Sequence, residues 1–377
     1  FEMSNMDAWP GMICLGPLAN TPTDIANTHL IIGFAEGLGV LFYWATTYEA
    51  ASEPIAYFVG STTTWTSATA RADWATNVIG GLTEFPCVGM VSHAVSGVDR
   101  MYAVRDKGAT HSVGPVISQL MYSEDKTTWT RVEHTNAADN PSGDTNTTPV
   151  KFLEDVSGTL YTLKQTASGG VVTLRQSTND GATWTNATAG TLSTASTPRA
   201  LKKWRTSAGA LALYVFLQEG IYRYTGSAFV QEVDFRGDLD TNNGLFPQIW
   251  NTPKSDVDEL IVPQGMQLWA FSWRDDGNLR KRPISPFFEG SMPLFRTGRI
   301  LALATSTRFL WAAIAGDSSA TTEGIYKMNA QGQWFGPLTS GGTANRQVRA
   351  MYGSSQDDNV KRLHFSRDNG VASDTNP

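Results

Sequence analysis

The tripeptide Thr-Trp-Thr occurs three times in this chain, at residues 64–66, 128–130 and 183–185. Each copy follows a stretch rich in Ser, Thr and Asp, a composition that is typical of turns. A second repeat, Glu-Gly-Ile-Tyr, begins at Glu219 and again at Glu323, so its two copies lie 104 residues, or twice 52, apart. Self-similarity at a fixed spacing indicates a repeat architecture. We therefore expect a unit of about 52 residues that is used several times.

Apolar runs of strand length lie between these repeats, at residues 40–44, 211–217 and 266–273. In the last run Trp269, Phe271 and Trp273 alternate with other residues and so share one face of a strand. Strands with apolar residues on both faces are typical of sheets that are covered on both sides. No segment combines a sustained helical period with capping residues, so we expect little helix.

A unit of about 50 residues with four strands has the size of a β-propeller blade. We predict an all-β protein, a β-propeller of seven four-stranded blades, with six or eight blades as alternatives. A β-sandwich or two smaller barrels also stay open. Six residues mark the last strand of successive units: Trp65, Trp129, Trp184, Phe229, Leu279 and Trp334.

The seventh unit begins within residues 348–366 but ends before its last strand. Trp9 supplies the aromatic residue that this unit lacks. We therefore expect the N-terminal strand, at about residues 1–12, to complete the last blade at about residues 345–370. Residues 1–377 would then form a single domain that is closed by its own N-terminal strand.

Composition excludes several classes of protein. The chain has 29 Lys and Arg against 35 Asp and Glu, a net charge of -6, which does not favour nucleic acid as a partner. Its two cysteines, Cys14 and Cys87, are too few for a disulfide framework or a thiolate zinc site. The longest apolar stretch, residues 30–45, is shorter than the roughly 20 residues that cross a bilayer, so no membrane span is expected.

Residues 177–184, with the sequence STNDGATW, resemble the Asp-box, or BNR repeat, whose pattern is Ser-x-Asp-x-Gly-x-Thr-Trp. The best copy comprises Ser177, Asn179 in place of Asp, Gly181, Thr183 and Trp184. Two partial copies comprise Ser123, Asp125 and Trp129, and Ser366, Asp368 and Gly370. The resemblance implies a sialidase-like propeller in which these boxes are structural turns on the outer rim, away from an axial site. It implies no activity by itself.

Catalytic signatures are missing from the sequence. The Phe-Arg-x-Pro signature of sialidases is absent, since Phe235-Arg236 and Phe295-Arg296 lack the proline. Five arginines could converge on an axis as a carboxylate-binding trio, but most arginines are solvated surface groups: Arg100, Arg175, Arg223, Arg282 and Arg349. The five histidines show no paired metal-ligand spacing. We therefore predict no catalytic residues.

One stretch has oxygen ligands at alternate positions, Asp238, Asp240 and Asn242, followed by Gly244. This spacing is similar to a calcium loop, although the Glu that usually completes such a loop is missing. An ordinary turn rich in Asp and Asn explains the stretch as well. Calcium is the only cofactor that the sequence suggests.

These observations predict a non-enzymatic structural or binding module of an extracellular or virion-associated assembly. The expected partners are other protein subunits, surface glycans or both, and a phage tail or fibre component is one such setting. The alternative is a secreted, sialidase-like glycoside hydrolase. A third reading is an assembly factor or solute-binding propeller inside a cell.

Overall fold

The computed structural model describes residues 30–46, 55–58, 65–67, 87–105, 119–132, 134, 136–143, 150–165, 170–192, 196–237, 240, 243–251, 258–265, 267–285, 298–306, 308–316, 324–338, 350–353 and 363–365. Their secondary structure consists of 26 β-strands and one 3-10 turn, Ala137–Asp139. This confirms the expected scarcity of helix within the described part of the chain. No helix there is long and apolar enough to cross a membrane.

The strands form six four-stranded sheets and one two-stranded sheet, and each sheet is an antiparallel meander in chain order. The first three sheets contain β1 (Leu30–Gly37), β2 (Val40–Thr46), β3 (Ile55–Phe58) and β4 (Trp65–Ser67); β5 (Cys87–Val95), β6 (Val98–Arg105), β7 (Gln119–Ser123) and β8 (Thr130–Arg131); β9 (Val150–Val156), β10 (Thr159–Gln165), β11 (Val172–Ser177) and β12 (Thr185–Leu192).

The fourth to seventh sheets continue the same order. They contain β13 (Pro198–Arg205), β14 (Leu211–Leu217), β15 (Gly220–Tyr224) and β16 (Phe229–Asp234); β17 (Gln248–Asn251), β18 (Asp258–Gln264), β19 (Gln267–Trp273) and β20 (Leu279–Pro283); β21 (Gly298–Thr305), β22 (Phe309–Gly316), β23 (Gly324–Asn329) and β24 (Trp334–Leu338); β25 (Met351–Gly353) and β26 (Leu363–Phe365).

The sequence landmarks coincide with the fourth strand of each complete sheet. Each landmark is the first residue of that strand or the residue immediately before it. The landmarks are Trp65, Trp129, Trp184, Phe229, Leu279 and Trp334. The predicted four-stranded unit is therefore confirmed.

Tight hairpins join the first and second strands of the first three sheets. Leu38 and Gly39 connect β1 to β2 with φ angles of 53° and 70°. The pair Ser96-Gly97 adopts the same conformation before β6, and Ser157-Gly158 adopts it before β10. Two consecutive residues with positive φ match the right-handed twist of the flanking strands, which explains the glycine at the second position.

Apolar residues on both faces of the strands join neighbouring sheets. In β14, Leu213, Val215 and Leu217 pack with the third sheet. The alternate residues Tyr214 and Phe216 pack with the fifth sheet. Similar clusters join the first to the second sheet, the second to the third, the fifth to the sixth and the sixth to the seventh. Each sheet is therefore stabilised mainly by burying its faces against its two neighbours.

The first and last described sheets also contact each other. The rings of Phe34 in β1 and Tyr352 in β25 have centroids 6.5 Å apart, and Tyr352 donates a hydrogen bond to Glu36. The first strands contact one another from the first to the fourth sheet and from the fifth to the seventh, and β1 lies beside both β5 and β25. The sheets thus form a ring with their first strands innermost, which is a β-propeller.

Closure by the N-terminal strand and the count of seven blades stay predictions. The proposed N-terminal strand around Trp9 lies outside the described residues, as does Cys14. The blade count of seven rests on the seventh sheet, of which two strands are described.

Candidate functional site

The turn between β11 and β12 is built by its own side chains. The Asn179 Oδ1 atom accepts hydrogen bonds from the Ser177 hydroxyl at 2.9 Å and from the Thr183 amide at 3.0 Å. The Ser177 Oγ atom accepts the Gly181 amide at 2.9 Å. Gly181 has a φ of 84°, which is the left-handed region that favours glycine. Trp184 then enters the core between the second and third sheets and is 1% exposed.

The turn between β7 and β8 has a related arrangement. Asp125 Oδ1 accepts the amides of Thr127 at 2.9 Å and Thr128 at 2.7 Å, and the Ser123 hydroxyl at 3.3 Å. The Thr128 amide lowers the pKa of Asp125 to about 2, with the hydroxyl of Thr128 and the amide of Thr127 adding to the effect. Trp129 is buried with its ring edge against Phe42.

The hydrogen bonds within both turns are those of structural turns. Their assignment as Asp-boxes stays a prediction. The third partial copy, Ser366, Asp368 and Gly370, lies outside the described residues.

The candidate calcium stretch is described only in part, since Asp238 and Asn242 lie outside the described residues and Asp240 lies within them. The neighbouring Asn243, which the sequence analysis did not single out, is fully buried and accepts the Gly265 amide through its Oδ1 atom at 2.6 Å. Within the described chain no group of three or more His, Cys, Asp and Glu residues could hold a metal ion. Calcium binding at Asp238, Asp240 and Asn242 therefore stays a prediction.

Four of the five arginines that could have formed a trio are described, and each lies in a different sheet. Arg100 pairs with Glu124, Arg223 with Glu232 and Arg282 with Glu259. Arg175 is buried and donates to the main-chain carbonyls of Ala138, Asn140, Pro141 and Trp184. Arg349 lies outside the described residues.

The interface between the fourth and fifth sheets combines stacked aromatic rings with charged residues at its edge. Trp273 of β19 stacks on Trp204 of β13 with ring centroids 6.0 Å apart. Trp204 is 2% exposed, whereas Trp273 is partly exposed. The Arg205 carbonyl accepts the indole N–H of Trp273 at 2.8 Å and the hydroxyl of Tyr214 at 3.1 Å. The Trp273 and Tyr214 rings are therefore both held by the Arg205 carbonyl at the end of β13.

An ion pair lies beside this stack. Arg205 Nε donates to Asp258 Oδ2 at 2.9 Å, and the two side chains are 59% and 19% exposed. The Asp258 carbonyl accepts the Trp204 indole N–H at 3.3 Å. The partly exposed indole, the guanidinium and the carboxylate thus occur together at one surface position. We call this set, Trp204, Arg205, Asp258 and Trp273, the Trp273 site.

A second partly exposed tryptophan lies on the same face of β19. The Lys281 ammonium lies 3.9 Å from the ring centroid of Trp269 and donates to Gln264 Oε1. The alternation in the sequence predicts that Trp269, Phe271 and Trp273 share one face, and all three pack into the same inter-sheet cluster. No sequence signal points to Trp204, Arg205 or Asp258, because these residues reach Trp273 only when two sheets pack together.

Glu154 is a buried acid in the first strand of the third sheet. Burial raises the pKa of Glu154. The charges of Lys202 and Lys203 lower it, as do the hydrogen bonds that the carboxylate accepts from the main-chain amides of Asp155 and Lys203. A carboxyl that keeps its proton to higher pH is what a general acid requires. The position of β9 among the innermost strands places Glu154 in the inner part of the ring.

Comparison with known proteins supports the fold. No protein-family model and no curated protein match this sequence. The structure is similar to the extracellular domain of a proposed one-component system of B. thetaiotaomicron, with a TM-score of 0.51, 10% identity, and coverage of 91% of this chain and 39% of that one. It is also similar to the GH74 xyloglucanase from Xanthomonas campestris, with a TM-score of 0.51, 15% identity, and coverage of 84% and 46%.

This chain therefore spans less than half the length of both proteins. At these identities the likeness concerns the fold alone. Both likenesses extend over more than four fifths of this chain, so they concern the fold as a whole and not a single sheet.

Proposed function

We propose that this protein is a non-enzymatic, glycan-binding β-propeller module of an extracellular or virion-associated assembly. The observation that carries the proposal is the partly exposed Trp273 ring, which is held by Trp204 beside the Arg205–Asp258 ion pair. A flat apolar ring next to a few fixed polar groups is the usual composition of a small-ligand site.

The chemistry of these groups suits a sugar. The C–H face of a pyranose is apolar and packs on an indole, while its hydroxyls both donate and accept hydrogen bonds. Asp258 supplies a charged acceptor and Arg205 a forked donor, and hydrogen bonds to charged groups are stronger than neutral ones. Because the indole N–H of Trp273 and the hydroxyl of Tyr214 hold the Arg205 carbonyl, the site requires little ordering on binding.

The setting of the module is part of the proposal. Rigid repeat scaffolds with polar turns are suited to extended binding surfaces, and one structural neighbour is described as an extracellular domain. The proposed partners are surface glycans and other protein subunits. The most specific part of this proposal is a role in a phage tail or fibre. It rests on the general composition of the sequence and on no motif.

A glycan array followed by calorimetry on the strongest hits tests the proposal. We expect Trp273→Ala and Asp258→Asn each to weaken binding at least about tenfold, which corresponds to about 1.4 kcal/mol. Trp334→Ala is the matched control, because Trp334 is also partly exposed at an inter-sheet contact and donates its indole N–H to a carbonyl, that of Ile284. Asp234→Asn is the control for an exposed ion pair.

Two results would contradict this assignment. If no glycan binds the protein, glycan recognition as its function is wrong. If glycans bind but the Trp273 and Asp258 variants bind as well as the controls, the function stands and the location of the site is wrong.

Glu154 supports a second candidate function, glycoside hydrolysis. Its raised pKa is suited to protonating a leaving group, and a glycosidase also needs a second carboxylate. Turnover of fluorogenic glycosides that is lost in Glu154→Gln would establish the hydrolase and overturn the non-enzymatic reading. The absence of turnover across a broad substrate panel would favour the binding module.

A further inference from the structure

His93 lies between two carboxylates that belong to the neighbouring sheet. It is in β5 of the second sheet and is 3% exposed. Its Nδ1 atom lies 3.1 Å from Asp155 Oδ1, and its Nε2 atom lies 3.1 Å from Asp180 Oδ1. Asp155 precedes the β9–β10 hairpin, and Asp180 lies in the β11–β12 turn of the third sheet. We call these three residues the His93 clasp.

The geometry fixes the number of protons on the ring. Ionised carboxylates only accept hydrogen bonds, and a neutral imidazole carries one N–H and one lone pair. A neutral His93 would therefore place a lone pair against one of the two carboxylates. Both contacts are favourable only when both ring nitrogens donate, which is the imidazolium form.

The surroundings of the clasp are polar and well defined. The Tyr102 ring meets the His93 ring edge to face at a centroid distance of 5.4 Å, and its hydroxyl donates to the Asp180 carbonyl at 3.1 Å. Arg100 contacts the Tyr102 hydroxyl and pairs with Glu124.

On the other side of the turn, the Nε2 atom of His134 lies 2.9 Å from the Gly181 carbonyl. The groups that face the clasp are thus Tyr102, Arg100 with Glu124, and His134. Asp180 is the exposed member, with 46% of its side chain accessible, so protons can reach the clasp from solvent.

We propose that the His93 clasp is a pH-sensitive joint between the second and third sheets, closed while the imidazole carries both protons and released when it loses one. The hydrogen bond to Asp155 is the largest factor that raises the pKa of His93 above 6.5; burial lowers it, and Asp180 raises it further. The stabilisation is therefore fully present below pH 6.5, the value for the unfolded chain, and is lost as the pH rises through the higher value of the folded state.

Release of the joint has a defined structural consequence. The β11–β12 turn is held to the second sheet by the clasp, by Tyr102 and by His134. The Asp180 contact would be lost first, because Asp180 is the exposed member of the clasp, and this loss would free the turn. The core around Trp184 would remain in place, so the change would be local.

Selective 15N labelling of the imidazole rings provides the direct test. In the wild-type protein we expect both His93 nitrogens to be protonated at neutral pH, and His93 to lose a proton at higher pH than in Asp180→Asn. Asparagine tolerates the φ of 58° at this position, and its amide can either accept or donate toward the ring. A His93→Asn sample assigns the signals among the five histidines.

Hydrogen exchange of residues 178–184 gives the second readout. Exchange corrected for its intrinsic pH dependence should rise several-fold in the wild type as His93 titrates. It should change little in Asp180→Asn, while Asp99→Asn, which removes an exposed charge from the second sheet, that of His93, should behave as the wild type. A singly protonated His93 at neutral pH, or equal pH dependence in the wild type and Asp180→Asn, would overturn the proposal.

Discussion

Arg175 Nη2 donates a hydrogen bond of 2.8 Å to the main-chain carbonyl of Trp184, the residue immediately before the last strand of the third sheet. The same guanidinium donates to the carbonyls of Ala138 and Asn140 and to Asn186 Oδ1. One buried side chain therefore ties the segment before the third sheet to that sheet's outer strand. A guanidinium suits this role because its five N–H donors form a fixed fork.

Replacing Arg175 by Met should destabilise the protein by at least about 3 kcal/mol, since several buried carbonyls would each lose a donor at about 1–3 kcal/mol. Arg175→Lys should not restore the stability, because an ammonium does not reproduce the fork. Urea unfolding measures the change. Arg280→Met, at an exposed position, should stay within about 0.5 kcal/mol of the wild type. Equal effects of the two Met variants would contradict this role of Arg175.

Gly181 and Gly158 allow the cost of positive φ to be separated from the cost of crowding. Both have φ above 80°, but a Cβ at Gly181 would lie 2.1 Å from Leu120 Cδ2, and one at Gly158 would meet nothing within 4 Å. Gly158→Ala should cost about 1–2 kcal/mol for the backbone alone. Gly181→Ala should cost about 1–3 kcal/mol more, because Leu120 is fully buried and has little room to move. Chemical denaturation of both variants gives the comparison, and equal losses would show that the turn can relax.

Acid should weaken the β7–β8 turn through Asp125. Its pKa is lowered from 3.8 to about 2 by amides that bond its ionised form. Its contribution is therefore present above pH 3.8 and is lost as the pH falls toward about 2. Because Asp125 is exposed, we expect a modest effect: a steeper fall of stability over this range in the wild type than in Asp125→Asn. Thermal unfolding as a function of pH measures both slopes, with Asp275→Asn as an exposed control.

Closure by the N-terminal strand makes its own prediction. Deleting residues 1–12 should leave a strand edge of the last blade unpaired, which should lower the cooperativity of unfolding and promote aggregation. Deleting residues 371–377 serves as the control truncation. Light scattering during thermal unfolding distinguishes the two proteins. An unchanged, cooperative transition after the N-terminal deletion would show that another segment completes the ring or that none is needed.

The sequence by itself determined the repeat, the strands and the turns. The six landmarks from Trp65 to Trp334 mark the fourth strands, because a large apolar residue after a polar turn, aromatic in five of the six units, is a local and repeated signal. The alternation of Trp269, Phe271 and Trp273 likewise predicted a shared face, since the side-chain period of a strand is two. Turns such as Ser157-Gly158 also depend on neighbouring residues, because the two residues that form the turn are adjacent in the sequence.

Only the tertiary structure decided which residues meet across sheets. His93 contacts Asp155 and Asp180, which are 62 and 87 residues away along the chain. Trp273 donates to Arg205 across 68 residues, and Phe34 meets Tyr352 from the opposite end of the chain. The physical reason is that a strand's period fixes which face a side chain occupies, whereas its partner on the next sheet depends on how the packed ring closes.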